Sequence, residues 1–273
     1  MGSGIAEVCA RAGLDVVVVE ASEDAKVAGA ARIEKSLDRG VRSGKLPEAD
    51  RDAALGLMTF ATEMEALADR EIVVEAVIEA EQAKLDVFSA LDKIVEDENA
   101  VLASNTSSIP VMKLAMATNR PTQVIGIHFF NPVPVMQLVE LVTSLLTSDE
   151  TVQAAAAFSG DVLEKRVITS QDRAGFIVNA LLIPYLLSAV RMMESGFASA
   201  EDIDAGMVLG CNHPMGPLAL TDLIGLDTTM AVAESLYEEF KEQLYAPPPL
   251  LSRMCEAGLL GRKSGRGFYD YAR

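Results

Sequence analysis

Hydrophobic positions follow two patterns along this chain. Up to about residue 170 they fall in short runs at 16–19, 72–74, 101–102 and 124–127, rich in β-branched residues. Uninterrupted apolar runs of that length suit strands covered on both faces, as in a parallel sheet flanked by helices. Between them, segments such as 28–41 and 82–95 repeat apolar residues at helical spacing, the second aligning Leu85, Phe88, Leu91 and Val95. Alternating strand and helix predicts an α/β fold with right-handed crossovers. Beyond about Asp172 the pattern becomes helix after helix, at 175–194, 200–209 and 227–245, broken by Pro214, Pro217 and the triplet Pro247-Pro248-Pro249. The predicted division is an α/β domain over residues 1–172 and an all-helical domain over 173–273.

The start of the chain matches part of a dinucleotide fingerprint, which runs strand, G-x-G-x-x-G, helix, second strand, acidic residue. A helix at 5–12, a strand at 16–19 and Glu20 fill the later places, and Gly2 stands where the last glycine belongs. The expected fold class is therefore Rossmann-type, a mostly parallel sheet whose first strand and first two glycines are missing from the chain. A central strand of about five buried apolar residues contributes roughly 1.5–3 kcal/mol per residue, which rivals a whole net stability of about 5–15 kcal/mol. Met1 is accordingly expected to be an internal methionine of a longer protein. The alternative is a true start, with Gly2, Gly4 and Gly13 as ordinary helix-end glycines. Glu20 suits ribose hydroxyls and repels a 2′-phosphate, which favours NAD over NADP.

Charge narrows the range of partners. Lys and Arg number 23 against 40 Asp and Glu, a net charge of −17. Broad binding to nucleic acid or to an anionic membrane is not expected of such a chain, although a local basic pocket for a phosphorylated small molecule is compatible with it. Cys9, Cys211 and Cys255 are widely spaced with no CxxC, so neither a disulfide framework nor a metal site is expected, and a reducing compartment is. Glu7 and Arg11 interrupt the opening segment, which therefore does not read as a secretory signal. The longest apolar stretch, 176–190, is short for a membrane span and holds Asn179 and Pro184. A cytoplasmic protein is expected.

Candidate chemistry gathers where predicted strands end. Only two histidines occur, and one of them, His128, follows the apolar run 124–127, at the strand end where α/β sheets place ligands. Glu140 interrupts a second apolar segment, where a carboxylate is costly unless partnered. The polar run Ser104-Asn105-Thr106-Ser107-Ser108 follows the strand at 101–103. A carboxylate facing an imidazole fixes its tautomer and favours its protonated form, as proton transfer requires.

The segments ASNTSSIPV (103–111), GIHFFNPVPVMQLVEL (126–141), DRAGFIVNALL (172–182), HPMGPLALTDLIGLDT (213–228) and GRKSGRGFYDY (261–271) closely resemble the 3-hydroxyacyl-CoA dehydrogenases, and among them the single-function bacterial 3-hydroxybutyryl-CoA enzymes. The resemblance spans essentially the whole chain. It implies hydride transfer between C3 of an L-3-hydroxyacyl-CoA and a nicotinamide, with His128 as base, Glu140 as its partner, and Ser107 and Asn179 as substrate-oxygen ligands. Cofactor contacts implied alongside Gly2 are Glu20, Ala76, Glu79, Lys84, Asn105, Asn131 and Lys263. Ser36 and Lys45 are implied at the CoA portion, and the helical domain as the surface of a homodimer. The chain departs from the pattern in its missing GAG and in Ala180, where many members carry Arg.

Two further features have other readings. His213, in a Pro/Gly turn, reads as structural, and the P-loop-like run 261–265 lacks the strand and helix that phosphate cradling needs. Two alternative functions stay open. One is a related 3-hydroxyacid dehydrogenase, although the sugar-acid branch is disfavoured because no Lys stands in a GxxxK pattern near Asn179. The other is a non-catalytic homologue that dimerises and binds CoA but not NAD.

Overall fold

The computed structural model describes residues 1–272, which form two compact units, one over Met1–Asp172 and one from Arg173 onward. The first unit runs α1 (Gly2–Arg11), β1 (Val16–Val19), α2 (Glu23–Arg42), α3 (Glu48–Gly56), β2 (Met58–Ala61), β3 (Ile72–Glu75), α4 (Glu81–Ile94), β4 (Val101–Ser104), α5 (Val111–Ala115), β5 (Val124–Phe129), β6 (Leu138–Thr143), α6 (Asp149–Ala156) and β7 (Arg166–Gln171). Five strands make one sheet in the order β3-β4-β5-β6-β7, parallel except for the β5–β6 pair. This is the expected mostly parallel, Rossmann-like arrangement.

β1 and β2 pair only with each other, as a separate parallel ladder. Side chains rather than backbone hydrogen bonds link the two ladders: Val16 packs against the core of β3–β7 and also against the cluster formed by α1, α2 and α3. The run Val16–Val19, expected to be covered on both faces, is consequently only half-buried, whereas β4 and β5 are buried at every position. Continuous apolar runs mark full burial only where neighbouring strands and helices close both faces.

Local chemistry explains the helices. Ser22 caps α2 by accepting the Ala25 N–H at 3.2 Å, acidic Glu23 and Asp24 occupy its first turn and basic Arg39 and Arg42 its last. Gly29, Ile33 and Leu37, one turn apart, form its buried stripe. On α4, Phe88 and Leu91 are buried as expected, but the third fully buried member of that stripe is Lys84.

The second unit holds α7 (Val178–Glu194), α8 (Ala200–Cys211), α9 (Pro217–Ile224), α10 (Leu226–Phe240) and α11 (Pro249–Glu256) around a core that includes Leu187, Val190, Leu218, Leu226, Leu236 and Leu251. The first helix begins at Val178 rather than 175, because Gly175 and Phe176 both take positive φ and cannot join a right-handed turn. No helix among the described residues is long and apolar enough to cross a membrane.

Candidate active site

The site is built on strand ends. β3, β4 and β5 are mutually parallel, so Glu75, Ser104 and His128 reach the same edge of the sheet. β6 returns antiparallel to β5 in a register that sets Glu140 directly opposite His128, and such cross-strand partners project to the same face. Nδ1 of His128 lies 2.8 Å from Oε2 of Glu140. Glu140 is fully buried and His128 only 7% exposed, so the imidazole answers a carboxylate that could not stand alone out of water. The Phe130 ring tilts against the imidazole at 4.7 Å between centroids. Gly126, two residues before His128, permits this close pairing: a Cβ there would sit 2.8 Å from the Val142 Cβ.

The loop after β4 is tied to the same edge. The Phe129 amide donates to Oδ1 of Asn105 at 2.8 Å, which binds the loop to the residue after His128. Ser107 follows, half-buried, its amide donating to Glu79 Oε1 at 2.9 Å. That oxygen also accepts the Thr106 and Ser108 hydroxyls at 2.6 and 2.9 Å and the Ser108 amide at 3.0 Å. Burial pushes the Glu79 carboxyl upward, but the Thr106 hydroxyl, the Lys84 ammonium and the Ser107 and Ser108 donors outweigh it and hold the group below the usual carboxylate range.

The remaining predicted residues are distributed as follows. Gly2 opens α1, and a Cβ on it would lie 3.7 Å from that of Ala76, the residue after β3. Glu20 follows β1, its Oε1 3.8 Å from Arg32. Ser36 and Asn131 line one cleft together with Ser3, Gly4, Glu7 and Arg32, whereas Lys45 lies exposed beyond the end of α2 and is not in that lining. Lys84, implied at the cofactor, is only 1% exposed, and its ammonium bridges Glu75 at 2.7 Å and Glu79 at 3.3 Å. In the second unit Asn179 is the half-buried second residue of α7. Lys263, exposed in a single 3₁₀ turn, ion-pairs with Asp227. His213 meets the Tyr185 hydroxyl at 3.2 Å through Nδ1.

Two residues went unpredicted. Glu75 follows the apolar run 72–74 and is buried, a carboxylate set against an apolar run much as Glu140 is set within one. Lys165 is buried and donates to the carbonyls of Val133 and Met136, both at 2.8 Å, fastening the β5–β6 connection. Burial, then Arg11, hold its ammonium below the usual lysine range. No local pattern announces it, since only the fold brings it to those carbonyls.

The first unit's residues fit a dinucleotide. No side chain caps the amides at the start of α1, which leaves donors and the positive end of the helix dipole for a pyrophosphate. A Cβ at Gly2 would make only ordinary contact with Ala76, and Glu20 follows β1 at the place where a dinucleotide fingerprint presents its acidic residue. Among the described residues, no group of three or more His, Cys, Asp or Glu side chains is placed to hold a metal ion.

Comparison with known proteins covers both units. The family described as 3-hydroxyacyl-CoA dehydrogenase, NAD binding domain, matches residues 1–173, and that described as 3-hydroxyacyl-CoA dehydrogenase, C-terminal domain, matches 175–271. A 3-hydroxybutyryl-CoA dehydrogenase of Mycobacterium tuberculosis is 58% identical over 271 residues, 99% of this chain and 95% of the relative. Among solved structures, M. tuberculosis FadB2 superposes with a TM-score of 0.99 at 58% identity, covering 100% of this chain and 95% of the other. The (S)-3-hydroxybutyryl-CoA dehydrogenase PaaH1 of Ralstonia eutropha gives 0.95 at 49% identity, covering 100% and 96%.

Proposed function

Because the chain belongs to the 3-hydroxyacyl-CoA dehydrogenase family through both of its units, we propose that it oxidises L-3-hydroxyacyl-CoA, chiefly 3-hydroxybutyryl-CoA, to the 3-oxoacyl-CoA and catalyses the reverse reduction. It is a nicotinamide-dependent dehydrogenase, and Glu20 at the end of β1 supports NAD rather than NADP. The dinucleotide, when bound, supplies the hydride acceptor for oxidation and the donor for reduction.

The observation that carries this reading is the buried His128–Glu140 pair, 2.8 Å apart, at the strand edge that also presents Ser107. With Nδ1–H donated to Glu140, the basic lone pair of His128 resides on Nε2. In oxidation that nitrogen takes the proton of the C3 hydroxyl, and in reduction it returns it. Glu140, held away from water, stabilises the imidazolium formed on the way. Ser107 and Asn179 supply hydrogen bonds to the oxygen at C3 as its charge changes, which is useful where donors are fixed beforehand. Glu20, Ala76, Glu79, Asn105 and Asn131 would hold the dinucleotide together with the α1 N-terminus, and the family resemblance adds Lys263 to the cofactor contacts. Ser36 and Lys45 would serve the CoA portion.

In the helical unit Leu181, Leu209 and Leu223 are exposed, which supports docking of a second copy there; sedimentation velocity would measure the dimer. The three cysteines are free thiols, in keeping with a reducing, cytoplasmic setting. The decisive assay is NADH oxidation dependent on acetoacetyl-CoA. We expect turnover with NADH and little with NADPH. NADH binding without turnover would overturn the catalytic reading, and binding of CoA without NADH would favour the non-catalytic alternative.

A further inference from the structure

Building on that reading, we propose that Glu75 is a positioning residue for the reaction: through the buried ammonium of Lys84 it orients Glu79, and Glu79 holds the loop that presents Ser107. Glu75 is the last residue of β3, and its side chain is fully buried. Oε1 accepts Lys84 Nζ at 2.7 Å and the Val77 amide at 2.6 Å, and Oε2 accepts the Ser104 hydroxyl at 2.6 Å. Ser104 faces it in register on β4 and in turn accepts the Thr106 amide at 3.1 Å.

Lys84 occupies a place in the stripe of α4 that Phe88 and Leu91 share. An apolar side chain there would fill the stripe without the cost of withdrawing two charges from water, so stability alone does not explain the pair. Its geometry offers another reason. The ammonium stands between two carboxylates, Glu75 on the buried side and Glu79, 36% exposed at its side chain, on the open side. Glu79 sits between β3 and α4, outside any ladder. Its Oε2 faces Lys84 at 3.3 Å, while its Oε1 gathers donors from Thr106, Ser107 and Ser108. One carboxylate thus holds three consecutive residues of the loop, and the Glu75-anchored ammonium sets the direction in which that carboxylate points. Lys84 thus acts on the loop from inside the protein.

Two variants test this. Glu75→Asp keeps the charge but shortens the arm, drawing Lys84 away from Glu79. Glu75→Gln/Lys84→Met removes both buried charges together, leaving neither alone, so the fold survives. Each is followed by thermal unfolding, by amide exchange of the peptide 104–110, and by steady-state kinetics with NADH and acetoacetyl-CoA. In both variants we expect the Ser107 and Ser108 amides to exchange about tenfold faster. We also expect kcat to fall about tenfold, with NADH binding weakened alongside it because Glu79 is proposed to hold the dinucleotide. Should the Asp variant fail to fold, the double variant decides. Unchanged exchange in the loop, wild-type kcat in the double variant, or lost NADH affinity with a quiet loop would each overturn the assignment. A wild-type protein without dehydrogenase activity would instead remove the functional reading, while amide exchange still judges the link from Glu75 to the loop.

Discussion

Both units bury carboxylates, and they use them differently. In the helical unit Asp222, 1% exposed, accepts the amides of Phe268 and Tyr269, both at 2.9 Å, and the Tyr271 hydroxyl at 3.0 Å. Asp204 accepts the amides of Leu218 and Ala219 and the Tyr269 hydroxyl. Burial first, and then the neighbouring aspartates, push both phenols above the usual tyrosine range, so these donors keep their protons and the aspartates act as fasteners for the C-terminal segment. In the α/β unit Glu140 faces an imidazole instead. On the function proposed above, an imidazole partner that passes a proton to and from substrate makes this buried carboxylate part of a reaction rather than a fastener. Glu75, facing an ammonium, stands between the two cases.

Substitutions sharpen that contrast. His128→Gln should lower turnover by about 10²–10⁴-fold while leaving NADH affinity nearly intact, as separate kinetic and binding titrations would register; a small effect would reduce the pair to another fastener. Asp222→Asn should destabilise the helical unit by roughly 2–4 kcal/mol, since three donors lose a charged acceptor, with the loss read from thermal or urea unfolding. If its unfolding matched wild type, the description of Asp222 as a fastener would be wrong.

Glu140→Gln keeps the size of the side chain but removes the charge facing the imidazolium, and turnover should drop about 10- to 10²-fold. A loss of stability with turnover per folded molecule preserved would place Glu140 with the aspartates. The smallest effect concerns acid. Glu79 is held below the usual carboxylate range in the fold, so between its folded value and the unfolded value of about 4.3 the unfolded chain binds more protons. Its contribution to stability is complete above that unfolded value and disappears as pH falls through the folded one. Glu79→Gln should therefore show a shallower loss of melting temperature on acidification, modest because the group is partly solvated.

What could be read in the amino-acid order, and what could not, follows from the same physics. β4 and β5 were legible because both faces are covered and every position but His128 is apolar or small. β2 and β7 were not, because their partly exposed positions carry polar residues such as Thr59 and Arg166 and break the run. His128 and Glu140 stood out as polar interruptions of apolar segments, and the fold sets them opposite each other. Lys84 was implied only as a cofactor contact, and the helical spacing gave it no place in the buried stripe. Nothing at helical spacing distinguishes a lysine on the wet face from one turned inward to meet Glu75, because the strand end that receives it is distant in the pattern. The loop grip of Glu79 was invisible for the same reason.

The opposed placement of His128 and Glu140 on β5 and β6 also governs how this hairpin can drift over evolutionary time. A slip of one residue between the two strands would send the imidazole and the carboxylate to opposite faces of the sheet. Lys165, gripping the carbonyls of Val133 and Met136, pins the connection against such slippage. Any change in the bend's length must therefore keep the phase of the two strands for the pair to survive.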